Sequence, residues 1–134
     1  SDVGQAVAYA REHGLPLSVR SGGHSYTCAC IKPRSVHIDL RSLRSFVFVP
    51  PAPMGSAGEA TFGTGLQFAD LLRELPTERY TYSHGECHGV GVGGFYLHGG
   101  VHRSLTPYVG LGNSTLLRMQ VWEWRHTEWR HMGT

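Results

Sequence analysis

Two short stretches hold the side chains able to do covalent or metal chemistry, and both are rich in glycine. In residues 83–100 (SHGECHGVGVGGFYLHGG), Cys87 stands between Glu86 and His88, with His84 close by. A neighbouring imidazolium or a set of loop amides favours the thiolate, which is the nucleophilic form of cysteine. The same segment offers a metal His84, Cys87 and His88, and Cys28 and Cys30 would add sulfur. Their spacing matches none of the paired Cys/His units of zinc sites. A third reading is a small cysteine used only for packing. In residues 21–26 (SGGHSY), a β-type segment runs into Ser21, Gly22, Gly23, His24, Ser25 and Tyr26. Their free backbone N–H groups and hydroxyls suit a phosphate or pyrophosphate. The stretch is neither a Gly-Lys-Ser/Thr phosphate loop nor a Gly-x-Gly-x-x-Gly fingerprint, and an ordinary polar turn is the plain alternative.

Glycine fills seven of the eighteen positions from 83 to 100. Each one costs backbone entropy on ordering, so such a run weakens helix and strand alike. In return it allows close backbone approach and lets successive N–H groups aim at one ligand. Val90, Val92, Phe95 and Leu97 are interleaved, which a flexible Gly/Ser linker would lack. The segment reads as an ordered loop pressed against something.

The elements that must hold these loops are short. Residues 1–14 read as a helix capped by Ser1 or Asp2, with Val3, Ala6, Val7 and Ala10 on one face and Gly14 as its stop. Residues 16–20, 36–40, 45–49, 59–62, 79–82 and 116–121 read as strands, the third closed by Pro50, Pro51 and Pro53. Leu66, Ala69, Leu72 and Leu75 mark a second helix, ended by Pro76. This order predicts a small α+β or α/β unit. Residues 122–134 hold all three tryptophans without an apolar period and read as a solvated or disordered tail.

Composition narrows the classes. The apolar fraction of 40% supports a core, and charged residues are only 16%. With 12 Lys+Arg against 10 Asp+Glu, net +2 and no basic stripe, nucleic-acid binding has little electrostatic support. There is no apolar run of about 18 residues to span a membrane. Three cysteines make no disulfide framework, and the compartment and oligomeric state stay open.

Read together, the two loops carry a resemblance. Residues 19–26 (VRSGGHSY), followed by residues 85–95 (GECHGVGVGGF), look like the FAD-binding domain of the p-cresol methylhydroxylase and vanillyl-alcohol oxidase superfamily. More narrowly, they resemble the berberine-bridge-enzyme-like and oligosaccharide oxidases. Residues 36–40 (VHIDL), residues 57–75 with their glycine turn and helix, and residues 108–113 (YVGLGN) are similar to further family segments in the same order. The resemblance covers residues 2–121 and implies an α+β fold of the FAD-binding PCMH type. That fold would comprise an N-terminal α/β subdomain and the start of the second.

The same likeness implies roles for single residues. His24 is the histidine that joins the flavin 8-methyl carbon, and Cys87 is the cysteine that bonds flavin C6 in bicovalent members. Arg20, Ser21, Gly22, Gly23, Ser25, Tyr26, Gly85, Val90, Gly91, Gly93, Gly94 and Gly99 would complete the cofactor wall, glycine serving where a Cβ would hold the backbone off FAD. The implied activity is hydride abstraction from a C–H next to an alcohol, sugar hydroxyl or amine, with reoxidation by O₂ or another acceptor.

Departures from the family pattern are His98 before Gly99-Gly100, Val101-His102 after it, and residues 122–134 where the domain would continue. The expectation is therefore residues 1–121 as a partial flavin-binding domain, inactive alone, with residues 122–134 as an atypical tail. The small-molecule substrate and the catalytic base would belong to a missing domain. A truncated polypeptide that binds no flavin, and a small metal-binding module, are the competing expectations.

Overall fold

The computed structural model describes residues 2–51, 57–125 and 128–133, with side chains described up to residue 120. Helix α1 (Asp2–Glu12) buries Val7 and Ala10 and lies against the second strand. It stops where Leu15 N–H donates to Ala10 O at 2.7 Å and Gly14 takes φ +62°. Strand β1 (Leu17–Arg20) pairs in parallel with β2 (Val36–Asp39), placing Arg20 opposite Asp39. Just beyond β2, Arg41 grips Asp39 through its guanidinium and its backbone N–H. This grip outweighs the opposing effect of desolvation and holds the carboxyl at about 2.

Beneath this pair runs an ordered chain of hydrogen bonds. Ser35 Oγ spends its one hydrogen on Lys32 O at 2.7 Å, so Ser18 Oγ must donate to Ser35 Oγ at 2.9 Å. The bond between Ser18 Oγ and His37 Nδ1 at 3.0 Å is then left for the imidazole to donate. His37 therefore stabilises the buried Ser18 as a donor and is no base for it. The segment preceding β2 is fastened to β1 as a result.

Strands β3 (Phe46–Val49) and β4 (Glu59–Phe62) form an antiparallel pair. Helix α2 (Phe68–Glu74) follows, its start fixed by Gln67 N–H donating to Asp70 Oδ2 at 2.9 Å. The core gathers here: Leu66, Phe68, Leu71, Val92 and Tyr96 are buried, with Phe46, Phe62, Val90 and Phe95 packed around them. Short helices α3 (Val92–Leu97) and α4 (Thr106–Val109), then a 3₁₀ turn (Gly112–Thr115), complete this half.

The α+β character holds, and four local expectations change. Residues 92–97 are helical within the expected loop. Burial of Val92 and Tyr96, four apart, against Phe68 overrides the weak propensity of Gly93 and Gly94. Residues 79–82 form no strand. Arg79 and Tyr80 N–H both donate to Pro76 O, and Tyr82 Oη donates to Leu75 O, so the segment folds back on the end of α2. The strand expected over 116–121 starts at Gln120 and continues as β5 (Gln120–Arg125). Residues 122–134 are no disordered tail along their described backbone: β5 pairs antiparallel with β6 (Glu128–Gly133), Trp124 opposite Trp129. Tryptophan and valine favour a pleated strand. Residues 126, 127 and 134, together with Ser1 and residues 52–56, lie outside the described residues.

Candidate functional site

The two glycine-rich stretches meet backbone to backbone. A Cβ built on Gly22 would strike Gly91 N, and one on Gly91 would strike Gly22 N and Ser21 Oγ. No residue other than glycine fits either side of this seam. Ser21 holds the first loop down by donating its hydroxyl to Thr64 O at 2.6 Å. The start of α2 stitches the second loop in place. Phe68 N–H donates to Val90 O, Ala69 N–H to His88 O, Gln67 Nε2 to Gly89 O, and Val92 N–H to Leu66 O, all between 2.9 and 3.1 Å.

This packing sets the His24 ring against the loop that carries Cys87. The His24 Nε2 atom lies 3.1 Å from where a Cβ on Gly89 would stand, and Gly89 is two residues beyond Cys87. His24 and Cys87 are both exposed, and the three cysteine thiols are free. Arg20 borders the first loop with its Nε buried and without a hydrogen-bond partner, beside Gly23 at φ +80°. A cationic N–H left unpaired in such a place fits an anionic acceptor supplied from outside the chain.

The remaining expected site residues divide. Gly94 has nothing within 4 Å of its would-be Cβ and faces open space, and Gly93 sits against Thr64 and Ser21. Gly85 instead packs under Phe68, so its lack of a side chain serves the core. Val90 is half-buried against that core. Gly99, at φ +97°, lies beside the 3₁₀ turn, where its carbonyl accepts from Asn113 N–H. Ser25 bonds Thr27, and Tyr26 is 100% exposed, so neither is drawn into the seam. Thr64, Gln67 and Gly89 belong to the site and were not among the expected residues. Their signal lay in the glycine turn at 63–65 and in Gln67 standing three before Asp70 at a helix start.

Around Cys87 the charges are settled locally. Glu86 accepts from Arg103 N–H at 3.1 Å. His84 donates from Nδ1 to Gly85 O at 3.0 Å and stands edge-on to His102, ring centroids 4.7 Å apart. His102 Nδ1 in turn accepts from Ser104 and Leu105 N–H. Burial pushes the Tyr82 hydroxyl up to about 12 and raises Tyr96 further, so both stay protonated donors. Among the described residues no three His, Cys, Asp or Glu side chains converge as metal ligands, and no helix is long and apolar enough to cross a membrane.

Residues 1–130 match a family model described as an FAD binding domain. The FAD-linked oxidoreductase easE of Arthroderma otae is 34% identical over 125 residues, covering 89% of this chain and 20% of that protein. The chitooligosaccharide oxidase of Gibberella zeae is 32% identical over 101 residues, 75% of this chain and 20% of its own length. Among solved structures, 6-hydroxy-D-nicotine oxidase from Arthrobacter nicotinovorans aligns with a TM-score of 0.75 at 30% identity, over 89% of this chain and 25% of that one. A VAO-type flavoprotein from Myceliophthora thermophila shares the fold with a TM-score of 0.78. The chain spans about a fifth of the length of the curated relatives it matches.

Proposed function

The chain belongs to the FAD binding domain family, and on that premise we propose that it is the flavin-holding portion of an oxidoreductase in which His24 and Cys87 are the covalent attachment residues. The observation that carries this reading is the Gly22–Gly91 seam, which sets the His24 ring against Gly89, two residues from Cys87. An accessible imidazole and an accessible thiol, on neighbouring loops, suit two bonds to one planar ring.

FAD, when bound, would accept a hydride from the substrate and pass the electrons to O₂ or another acceptor. The residues of this chain bind and orient. Arg20 offers its unpaired Nε to an anionic group of the cofactor, in the manner of a pyrophosphate oxygen. Gly93 and Gly94 let the chain lie close against it. Ser21, Thr64 and Gln67 keep both loops at fixed separation, which pre-organises the wall before the cofactor arrives.

The substrate is an alcohol, a sugar or a compound with an amine-adjacent C–H. The relative named chitooligosaccharide oxidase supports the sugar within that range. Because the chain spans about a fifth of its curated relatives, the walls that hold substrate and the base that activates it lie outside these residues, and this chain alone does not turn over.

The test is direct. Protein produced with FAD is precipitated in acid, and the pellet stays yellow if the attachment is covalent. A colourless pellet, with or without flavin in the supernatant, contradicts the attachment.

A further inference from the structure

The segment from His24 to Ile31 hangs between two fastened ends. At one end Ser21 is tied to Thr64. At the other, Ser35 is tied to Lys32 O and to Ser18 under β1. No side chain between those ends is buried, and Tyr26 is fully exposed. Two consecutive turns shape what lies between them: Cys28 N–H donates to Ser25 O at 3.2 Å, and Ile31 N–H donates to Cys28 O at 3.0 Å. Cys28 is the joint between these turns, and it sits in the left-handed region at φ 54°. A non-glycine residue at such a joint gives the strap a strained, redirectable point.

Ala29 and Cys30 are the central residues of the second turn. A hydrogen-bonded turn keeps its end Cα atoms within about 7 Å. Cys28 and Cys30 are two Cα steps of about 3.8 Å apart along a chain that turns here, which keeps them in reach of the span of about 4.4–6.8 Å that a disulfide bridges. Both thiols are free, Cys28 exposed and Cys30 partly so. We propose that Cys28 and Cys30 form a reversible dithiol–disulfide pair, a redox site on the strap that carries His24.

The oxidant is a peroxide. One thiolate is oxidised by hydrogen peroxide to a sulfenic acid, releasing hydroxide. The second thiolate attacks that sulfur, the Sγ–Sγ bond forms, and a second hydroxide leaves. Two thiols lose two protons and two electrons, and hydrogen peroxide becomes two waters. A bridge spanning a single residue is strained and exposed, which places it among the labile pairs that small thiols reopen. Closing it fixes the joint at Cys28 and with it the backbone four residues beyond His24. Only this consequence for His24 rests on the proposed cofactor role, because the pair itself needs no flavin.

Trypsin supplies the test, since Arg20 and Arg34 bracket a peptide that contains Cys28 and Cys30 and no other cysteine. The whole chain is treated with hydrogen peroxide, blocked with iodoacetamide and digested. Peptide 21–34 is expected two hydrogens lighter than its reduced form and unalkylated, and a small dithiol added before blocking restores both alkylations. The Cys87→Ser variant is expected to behave identically, losing its two remaining thiols together. Cys28→Ser is expected to abolish the bridge. Peroxidation of either thiol to sulfinic acid without a bridge, alkylation of both after oxidation, or a crosslink from Cys28 or Cys30 to Cys87 would each overturn the proposal. Flavin on His24 would add its own mass to this peptide and leave the two-hydrogen shift readable, so failure of the pair and failure of the cofactor reading are seen separately.

Discussion

Gly91 and Gly94 stand three residues apart in one stretch and answer to opposite demands. At Gly91 the chain itself forbids a side chain, because the backbone of Gly22 and the hydroxyl of Ser21 occupy the space. At Gly94 a built Cβ would meet nothing within 4 Å beyond its own helix backbone and chain neighbours, so only something outside the chain would ask for glycine there. The first closes the seam, and on the proposed function the second faces the cofactor. A glycine-rich loop is thus two populations. Substitution separates them by sign.

The largest effect is expected at the seam. Gly91→Ala drives a methyl into backbone that cannot move aside, and it should cost about 3 kcal/mol in urea unfolding. An unchanged midpoint would mean that the two loops do not touch. Next comes the buried frame behind the seam: Tyr96→Phe removes the 2.7 Å bond to Ser83 O and leaves a buried carbonyl unpaired, for about 1–2 kcal/mol. Asp70→Asn should cost about 1 kcal/mol, since the carboxylate ties Gln67 N–H to Arg44 and Arg73 at the start of the helix that stitches the second loop.

That last cost should depend on pH. Burial works to raise the Asp70 carboxyl, but Gln67 N–H, Arg44 and Arg73 outweigh it and hold the group below its ordinary 3.8. A depressed folded-state value gives stability that is present above the unfolded value and lost as pH falls through the folded one. Unfolding curves of the unaltered protein and the Asp70→Asn variant should therefore converge on acidification below about pH 4 and stay parted at neutrality. The smallest effect has the opposite sign: Gly94→Ala, within α3 and unopposed, should stabilise by about 0.5–1 kcal/mol through helix propensity while weakening flavin uptake. Destabilisation at Gly94, or stabilisation with flavin uptake intact, would erase the distinction from Gly91.

How far the sequence carried is visible in the same residues. Strands at 17–20, 36–39, 46–49 and 59–62 were legible because each alternates or is bounded by proline, glycine or a polar turn. The pairing of residues 21–26 with 85–95 was legible only through likeness to a family, since no local rule says that Gly22 meets Gly91. Helix α3 was hidden because Gly93 and Gly94 suppress the propensity signal. Val92 and Tyr96 at i and i+4 were the trace it left. Thr64 acts through its own backbone carbonyl, accepting from the Ser21 hydroxyl, and the Gln67 side chain donates to the backbone of Gly89, so neither pairing was announced by residue type alone.

On the proposed function, the seam presents His24 and Cys87 to one flavin. Peptide mass mapping of protein produced with FAD tests it most directly, using His24→Ala, Cys87→Ala and the double variant after denaturation. Flavin should be found on Cys87 in the first, on His24 in the second, and released entirely from the third. Flavin still bonded to the denatured double variant would contradict the account.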